Sequence, residues 1–186
     1  GFDVTLGDST TANFGSLDFS GAAVSITEAS AMEVAASEAT GALTLVASGA
    51  VTQSGAIDAD STASVTAGAN AITLSNASND FSGAVSLSNS GTNDVSLTDA
   101  NALDLGTVSV GQNLTVTTGG ALTDSGAITV GSLATLVSTG QSVTLGDSTT
   151  ANFGSLDFAG AAVSIKEGSS MEIAASEATG ILTLEA

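Results

Sequence analysis

The chain contains a long internal repeat. Residues 4–45 recur at 143–184 with six differences when the two stretches are aligned at a shift of 143 − 4 = 139 positions. Repetition at a fixed period is typical of architectures in which each unit buries its apolar face against the next copy. A catalytic site needs one copy, whereas a scaffold can be copied. The repeat therefore predicts a stacked, elongated structural protein.

The 139-residue period divides further. Residues 43–74 align with 114–145 at a shift of 114 − 43 = 71, and both stretches contain the sequence SGAI. Val4 aligns with Ile72 at a shift of 68, so the second copy carries three extra residues. They fall between Phe81 and Val95, where SNSGTND predicts an enlarged turn. We expect one continuous segment, 1–186, that begins and ends within a repeat and is built from units 4–71, 72–142 and a partial 143–186.

Short apolar triplets predict the secondary structure of each unit. VTL, VSI, LTL, ITL, VSL, LTV and ITV alternate an apolar residue with a hydroxyl residue, which is the period of a β-strand. Gly, Asn, Ser and Asp between the triplets favour turns. A coil is one revolution of the chain around the solenoid. With about three strands in each coil, a 68–71-residue repeat contains about three coils. The fold class predicted is all-β, a parallel β-solenoid with a rod length of roughly 40 Å, from about eight coils at 4.8 Å each.

A β-sandwich is the alternative fold, and composition argues against it. A sandwich core about 10 Å thick is commonly filled by large aromatic residues, whereas this chain has no Trp, no Tyr and six Phe. Small apolar residues stacked on their own kind fill a narrow solenoid, and we expect Val143, Leu145, Val163 and Ile165 to point inward. Five phenylalanines are expected to fill the interior beside turns: Phe14, Phe19, Phe81, Phe153 and Phe158.

The segment Ala31–Ala39 (AMEVAASEA) is the strongest helix former by propensity. Its repeat equivalent, residues 102–110 (ALDLGTVSV), has a strand pattern. Because equivalent positions of a stacked repeat should share a conformation, we predict strand, with a one-turn helix on the outside as the alternative.

The charge of the chain excludes some partners. Nineteen carboxylates and one cation, Lys166, give a net charge of −18. Nucleic acid and anionic membrane surfaces bind clustered Lys and Arg, so neither is expected as a partner. No stretch approaches the length of a membrane-spanning helix. Glu28, Asp99 and Glu167 are repeat equivalents, and stacking one unit apart would separate them by about 14 Å, so their repulsion should be mostly screened and the charge should serve solubility.

Catalytic chemistry is poorly supported. The chain has no His and no Cys, which removes the usual nucleophilic triads and zinc ligands. Some β-solenoids cleave polysaccharides, and Asp58 with Asp60 could serve as acid and base. Their repeat equivalents are Thr129 and Gly131, and no Trp or Tyr offers a sugar platform. We therefore expect no enzyme, no catalytic residues and no cofactor.

Calcium is the one ion that the composition suggests. The turns GDST, SNASND and GTND are rich in the oxygen ligands that Ca²⁺ prefers. Neither the glycine-rich nonapeptide repeat nor the EF-hand spacing is present, so ordinary turn chemistry is the main interpretation and no metal ligand is assigned.

The stretches NLTVTTGGALTDSGAITVG (113–131) and SVTLGD (142–147) resemble the repeat region of filamentous haemagglutinin-like exoproteins, the adhesins of two-partner secretion systems. The resemblance extends over the chain through its internal repeats. It implies a right-handed parallel β-helix, export to the cell surface, and a role in adhesion or as a fibrous stalk.

These observations predict a non-catalytic segment of an extracellular β-helical filament or adhesin shaft, which continues in a longer repeat chain or associates end to end with itself. Three other classes stay open: a calcium-dependent surface-layer protein, a polysaccharide-active enzyme, and an ice-binding solenoid, which would need a flat Thr-x-Thr array.

Overall fold

A computed structural model describes residues 1–8, 12–147 and 149–186. None of these residues is in a helix. The strands in this part of the chain are β1 (Val4–Leu6), β2 (Ser20–Gly21), β3 (Val24–Glu28), β4 (Met32–Val34), β5 (Ser37–Ala39), β6 (Leu43–Ala47), β7 (Val51–Gln53), β8 (Ile57–Ala59), β9 (Ala63–Thr66), β10 (Ile72–Leu74), β11 (Asp80–Phe81), β12 (Val85–Ser88), β13 (Val95–Asp99), β14 (Leu103–Val110), β15 (Leu114–Thr118), β16 (Leu122–Asp124), β17 (Ile128–Ser138), β18 (Val143–Leu145), β19 (Ala151–Gly160), β20 (Val163–Lys166), β21 (Glu177–Ala178) and β22 (Leu182–Glu185).

The described strands pair in parallel and stack into a solenoid of about nine coils, which confirms the predicted fold class. Each coil passes along three faces, and most coils have a strand on each of them. Face 1 contains β1, β3, β6, β9 and β12, followed by 108–110, 128–130 and 151–153. Face 2 contains β4, β7, β10, β13 and β15, followed by 134–137 and 156–160. Face 3 has two separate ladders: β2, β5, β8 and β11 form a four-stranded sheet, and 103–105, β16, β18, β20 and β22 belong to the larger sheet.

The period-two pattern explains the interior. Along β3 and β6 the side chains alternate between buried and exposed or partly exposed positions, and the apolar residues of the triplets VSI and LTL are among the buried ones. The four residues expected to point inward, Val143, Leu145, Val163 and Ile165, are each at most 1% exposed. Burying a side chain of this size stabilises the fold by about 1.5–3 kcal/mol relative to leaving it exposed. The inward assignment is therefore confirmed.

The less regular predictions also hold. Four of the five phenylalanines, Phe19, Phe81, Phe153 and Phe158, are buried, and Phe14 is partly buried against the core. The helix-prone segment 31–39 forms β4 and β5, so the strand interpretation is confirmed. The predicted enlarged turn, residues 88–94, begins at the last residue of β12 and contains the connection to β13.

The repeat is longer than a whole number of coils. From Val24, face 1 continues in register to Leu43, Ala63 and Val85, which is three coils, and the repeat equivalent Val95 lies one strand further on, on face 2. At the 139-residue shift, Val24 aligns with Val163, which lies on face 3. The expectation of about three coils per repeat is confirmed, and the structure shows that each repeat extends beyond three coils by one further face. Each repeat therefore turns the pattern by one-third of a revolution.

This rotation appears in the outward hydroxyl residues. A Thr-Ser-Thr column recurs once per repeat, on faces 1, 2 and 3 in turn: Thr5, Ser25 and Thr44; Thr73, Ser96 and Thr115; Thr144, Ser164 and Thr183. Each column has its members on adjacent coils. The scattered triplets of the sequence are thus aligned in register rather than spread over the surface.

Candidate functional site

Face 3 carries a column of carboxylates in its first half. Glu38 is in register with Asp58, and Asp58 with Asp80, so three outward carboxylates occupy adjacent coils. Neighbouring strands are about 4.8 Å apart. The spacing of about three coils was expected for the repeat equivalents Glu28, Asp99 and Glu167 and does not cover this column, because residues that are not repeat equivalents stack directly here.

The column perturbs its central member. Partial burial raises the pKa of Asp58 above its usual 3.8, and the neighbouring carboxylates of Asp60 and Asp80 raise it further. Like charges directly opposite each other on paired strands are destabilising. The column is thus a local electrostatic cost that the apolar interior offsets.

Asp58 and Asp60 do not form a catalytic pair within a cleft. Both side chains are exposed on the outside of face 3. A cavity of about 210 Å³ opens elsewhere, at a corner near Gly160, and neither Asp58 nor Asp60 lines it. Its one carboxylate among the lining residues is Glu177. Asp58 and Asp60 therefore do not meet across this cavity.

The turns rich in oxygen atoms use their polar side chains internally. In SNASND, Asn79 is fully buried; its Oδ1 accepts hydrogen bonds from Gln53 Nε2 (2.8 Å) and the Ile57 N–H (2.9 Å). In GTND, Asp94 Oδ1 accepts hydrogen bonds from Asn113 N–H (3.1 Å) and Nδ2 (2.9 Å). The two GDST turns lie partly outside the described residues. Within the described ranges, no group of three or more His, Cys, Asp or Glu side chains is arranged to hold a metal ion.

Buried polar residues occupy the corners between faces. Asn79, Asp99, Thr118 and Ser138 follow one another at the corner after face 2, and each is at most 3% exposed. Asp99 Oδ2 accepts the Phe81 N–H (3.3 Å) and Oδ1 the Asn101 N–H (2.9 Å). Burial raises the pKa of Asp99, the two N–H donors lower it, and Asp80 raises it. These corner residues satisfy backbone groups where the chain leaves one face for the next.

Neither the acidic column nor the row of buried polar corner residues was predicted from the sequence. Glu38, Asp58 and Asp80 are separated by 20 and 22 residues, and their alignment depends on the length of each coil. Coils range from 34 − 17 = 17 residues (Leu17 to Val34) to 95 − 72 = 23 residues (Ile72 to Val95). The number of residues in each coil decides which residues stack, and it could have revealed the column. The 71-residue period does not give that number, because it covers several coils of different length.

The fold and surface define a β-helical repeat protein. A family model matches residues 21–88 and 92–161, which together exceed half of the chain. The chain therefore belongs to the DUF5649 family, described as repeats of unknown function. The two matched stretches begin 92 − 21 = 71 residues apart, the same shift that aligns the units. No curated protein and no solved structure matches the chain. No helix in the described ranges is long and apolar enough to span a membrane.

Proposed function

We propose that this chain is a non-catalytic segment of an extracellular β-helical filament or adhesin shaft. The observation that carries the proposal is the parallel stacking of about nine coils, in which strands of successive coils pair through their backbones. Such a structure lengthens by adding repeats, and each repeat contacts its neighbours alone. Its mechanism is mechanical, because backbone hydrogen bonds and a dry apolar interior hold the rod together.

The outward surface supports a structural role. The hydroxyl columns on the three faces lie in register along the outside of the rod, and the cavity near Gly160 has one carboxylate, Glu177, in its lining. Resemblance to filamentous haemagglutinin-like exoproteins, stated above on residues 113–131 and 142–147, supports the finer proposal of an exported adhesin.

The proposed partner is another repeat, either in a longer repeat chain or in a copy associated end to end. The contact between coils supports it: Leu43 and Leu45 are at most 1% exposed because β9 covers them in register. The edge of a parallel sheet accepts a further parallel strand in the same way.

Surface labelling of the source cells tests the proposal. Antibodies against the purified chain should label intact cells by immunogold electron microscopy, with gold on thin fibres, and a cytosolic marker should stay unlabelled until the cells are permeabilised. Labelling that requires permeabilisation would contradict an extracellular shaft. A denaturing gel of the same material separates the two versions: a very large band supports one long chain, and a band near 17.7 kDa supports associated copies.

A further inference from the structure

Face 2 carries a column of outward hydroxyl side chains that crosses five adjacent coils. Thr52 belongs to the column because Val51, the residue before it, is in register with Ile72, the residue before Thr73. All members of the column are exposed or partly exposed. The other four lie in register on paired parallel strands: Thr73, Ser96, Thr115 and Thr135.

A second column runs beside the first, two residues further along the strands. It contains Thr98, Thr117 and Val137, again in register. Successive outward residues of one strand are about 6.6–6.8 Å apart, and neighbouring strands are about 4.8 Å apart. The two columns, which we call the hydroxyl array, are therefore regular in two directions. Their strand pairings have no register shift, whereas the ladder on face 1 has one between Val85 and Leu87.

The hydroxyl array contains no charged side chain, although the chain has a net charge of −18. A carboxylate stands at each end of the first column, because Glu33 is in register with Thr52 and Asp157 with Thr135. Outward positions of this fold accept carboxylates, as the acidic column on face 3 shows. The fold itself therefore does not keep charge out of the array.

The hydroxyl groups of the array are free to bind a ligand. Thr52 Oγ1 donates a hydrogen bond to the Met32 carbonyl oxygen (3.4 Å), and the other hydroxyl groups of the array have no partner within the residues that the structure describes. Threonine is stiff at χ1 because it is β-branched, and the paired backbones fix the spacing of the side chains. A rigid array loses little conformational entropy on binding.

The spacing of each column matches that of oxygen atoms in a tetrahedral water lattice. In a lattice with hydrogen bonds of about 2.8 Å, two oxygens bonded to the same water lie about 4.6 Å apart, and neighbouring strands are about 4.8 Å apart. One water can therefore bridge two hydroxyl groups of a column with nearly tetrahedral geometry. A carboxylate would instead hold water around its charge, and displacing that water is costly.

We propose that the hydroxyl array binds ice, a function that goes beyond the proposed shaft and does not depend on it. A polysaccharide fits the array less well, because the chain has no Trp or Tyr for a sugar to stack on and the array has no carboxylate to accept hydrogen bonds from sugar hydroxyls. A second copy of the chain also fits less well. The centre of a protein interface is largely apolar, and Val137 is the one apolar side chain of the array.

Ice-affinity partitioning of the full purified chain tests the proposal. Ice is grown slowly from a dilute solution of the chain and serum albumin, and the protein content of the ice is compared with that of the remaining liquid. We expect the chain to be enriched in the ice relative to albumin and to inhibit ice recrystallisation. Thr73→Lys with Thr115→Lys should abolish both effects, because two long charged side chains would hold the array away from the ice surface.

The internal repeat provides a matched control on another face. Thr144 and Thr183 are the repeat equivalents of Thr73 and Thr115, and they lie on face 3. Thr144→Lys with Thr183→Lys makes the same change in charge at the same repeat positions and should leave the enrichment in ice intact. Thermal melts followed by circular dichroism establish that both double variants are folded.

A single substitution repeats the comparison if a double variant does not fold. Ser96 lies in the middle of the first column, and its repeat equivalent Ser164 lies on face 3. Ser96→Lys should lower the enrichment in ice, and Ser164→Lys should not.

Loss of enrichment in the face 2 variants, together with its retention in the face 3 variants, supports the proposal. No enrichment of the wild type in ice would overturn it, and so would equal enrichment or equal loss in the two sets of variants. Retention on crystalline cellulose without enrichment in ice would assign the array to a polysaccharide and overturn the proposal. A dimer in sedimentation equilibrium that the face 2 variants abolish, again without enrichment in ice, would assign the array to a second copy and overturn it as well.

Discussion

Ser25 and Ser164 hold the same place in two copies of one repeat, yet they lie on different faces of the solenoid. Ser25 is in register with Thr44 on face 1, and Ser164 with Thr183 on face 3. The intermediate copy, Ser96, is in register with Thr115 on face 2. Any feature carried once per repeat therefore appears around the rod in steps of one-third of a revolution, and three repeats return it to the same face.

Replacing Val163 by Asp tests the assignment of inside and outside. Val163 is 1% exposed on β20, so Val163→Asp would bury an unpaired charge at a cost of several kcal/mol, on the order of 3 kcal/mol or more. Ser164→Asp, one residue on and pointing outward, is the matched control and should change stability little. Thermal melts followed by circular dichroism measure both. Equal melting temperatures for the two variants would contradict the assignment.

Asn79 is predicted to be the most costly polar corner residue to truncate. Its Nδ2 donates to Gln53 Oε1 (3.0 Å) and to the carbonyl oxygens of Leu74 (3.2 Å) and Thr98 (3.0 Å), in addition to the two bonds that Oδ1 accepts. Asn79→Ala leaves several buried groups unpaired, and we expect a loss of about 3 kcal/mol from the free energy of unfolding. Asn76→Ala removes one local acceptor, for the Ser78 N–H (2.9 Å), and should cost well under half as much. Urea unfolding compares the two, and similar losses would show that the Asn79 network contributes nothing special.

The acidic column predicts a pH dependence of stability. The raised pKa of Asp58 means that the folded state binds this proton more readily than the unfolded state does. The contribution to stability therefore increases as the pH falls from neutral through the folded-state pKa, and is complete below the unfolded value near 3.8. Asp99 acts in the same direction. The effect of Asp58 should be small because solvent screens an exposed group.

Urea unfolding across this pH range measures the effect. Asp58→Asn should be more stable than the wild type near neutral pH and should show a smaller gain on acidification. Asp157→Asn, which removes a carboxylate outside the column, is the control for net charge. A gain on acidification that is the same in Asp58→Asn as in the wild type would exclude the column as its source.

Local patterns were enough to predict the strands and the interior. The triplet VSI buries its first and third residues both at 24–26 and at 163–165, because only one register of an alternating pattern places the apolar side chains on the buried face of a sheet. The helix-prone segment 31–39 was resolved by its repeat equivalent rather than by propensity, which tertiary packing overrode.

The stacking partners could not be predicted from the same patterns. Glu38 lies under Asp58 because the intervening coil has 58 − 38 = 20 residues, and Asp58 under Asp80 because the next has 80 − 58 = 22. The repeat period fixes the total number of residues in several successive coils, but it does not fix the number in each coil. Corner residues such as Glu28 and Asp99 are likewise recognisable as turn residues, but which backbone N–H each one bonds depends on the coil below.

Cysteine cross-linking tests the central claim, the length and register of the coils, most directly. The chain has no Cys, so a double variant has one possible intramolecular pair. Ser25 and Thr44 are in register on adjacent parallel strands, at a separation of about 4.8 Å that a disulfide can span. Coils of one-third of a 71-residue repeat would instead bring Ser25 next to residues about 24 positions on, near Ser48. We expect Ser25→Cys with Thr44→Cys to form a disulfide on mild oxidation, detected by mass spectrometry, and Ser25→Cys with Ser48→Cys to form none; the reverse result would contradict the register of the coils.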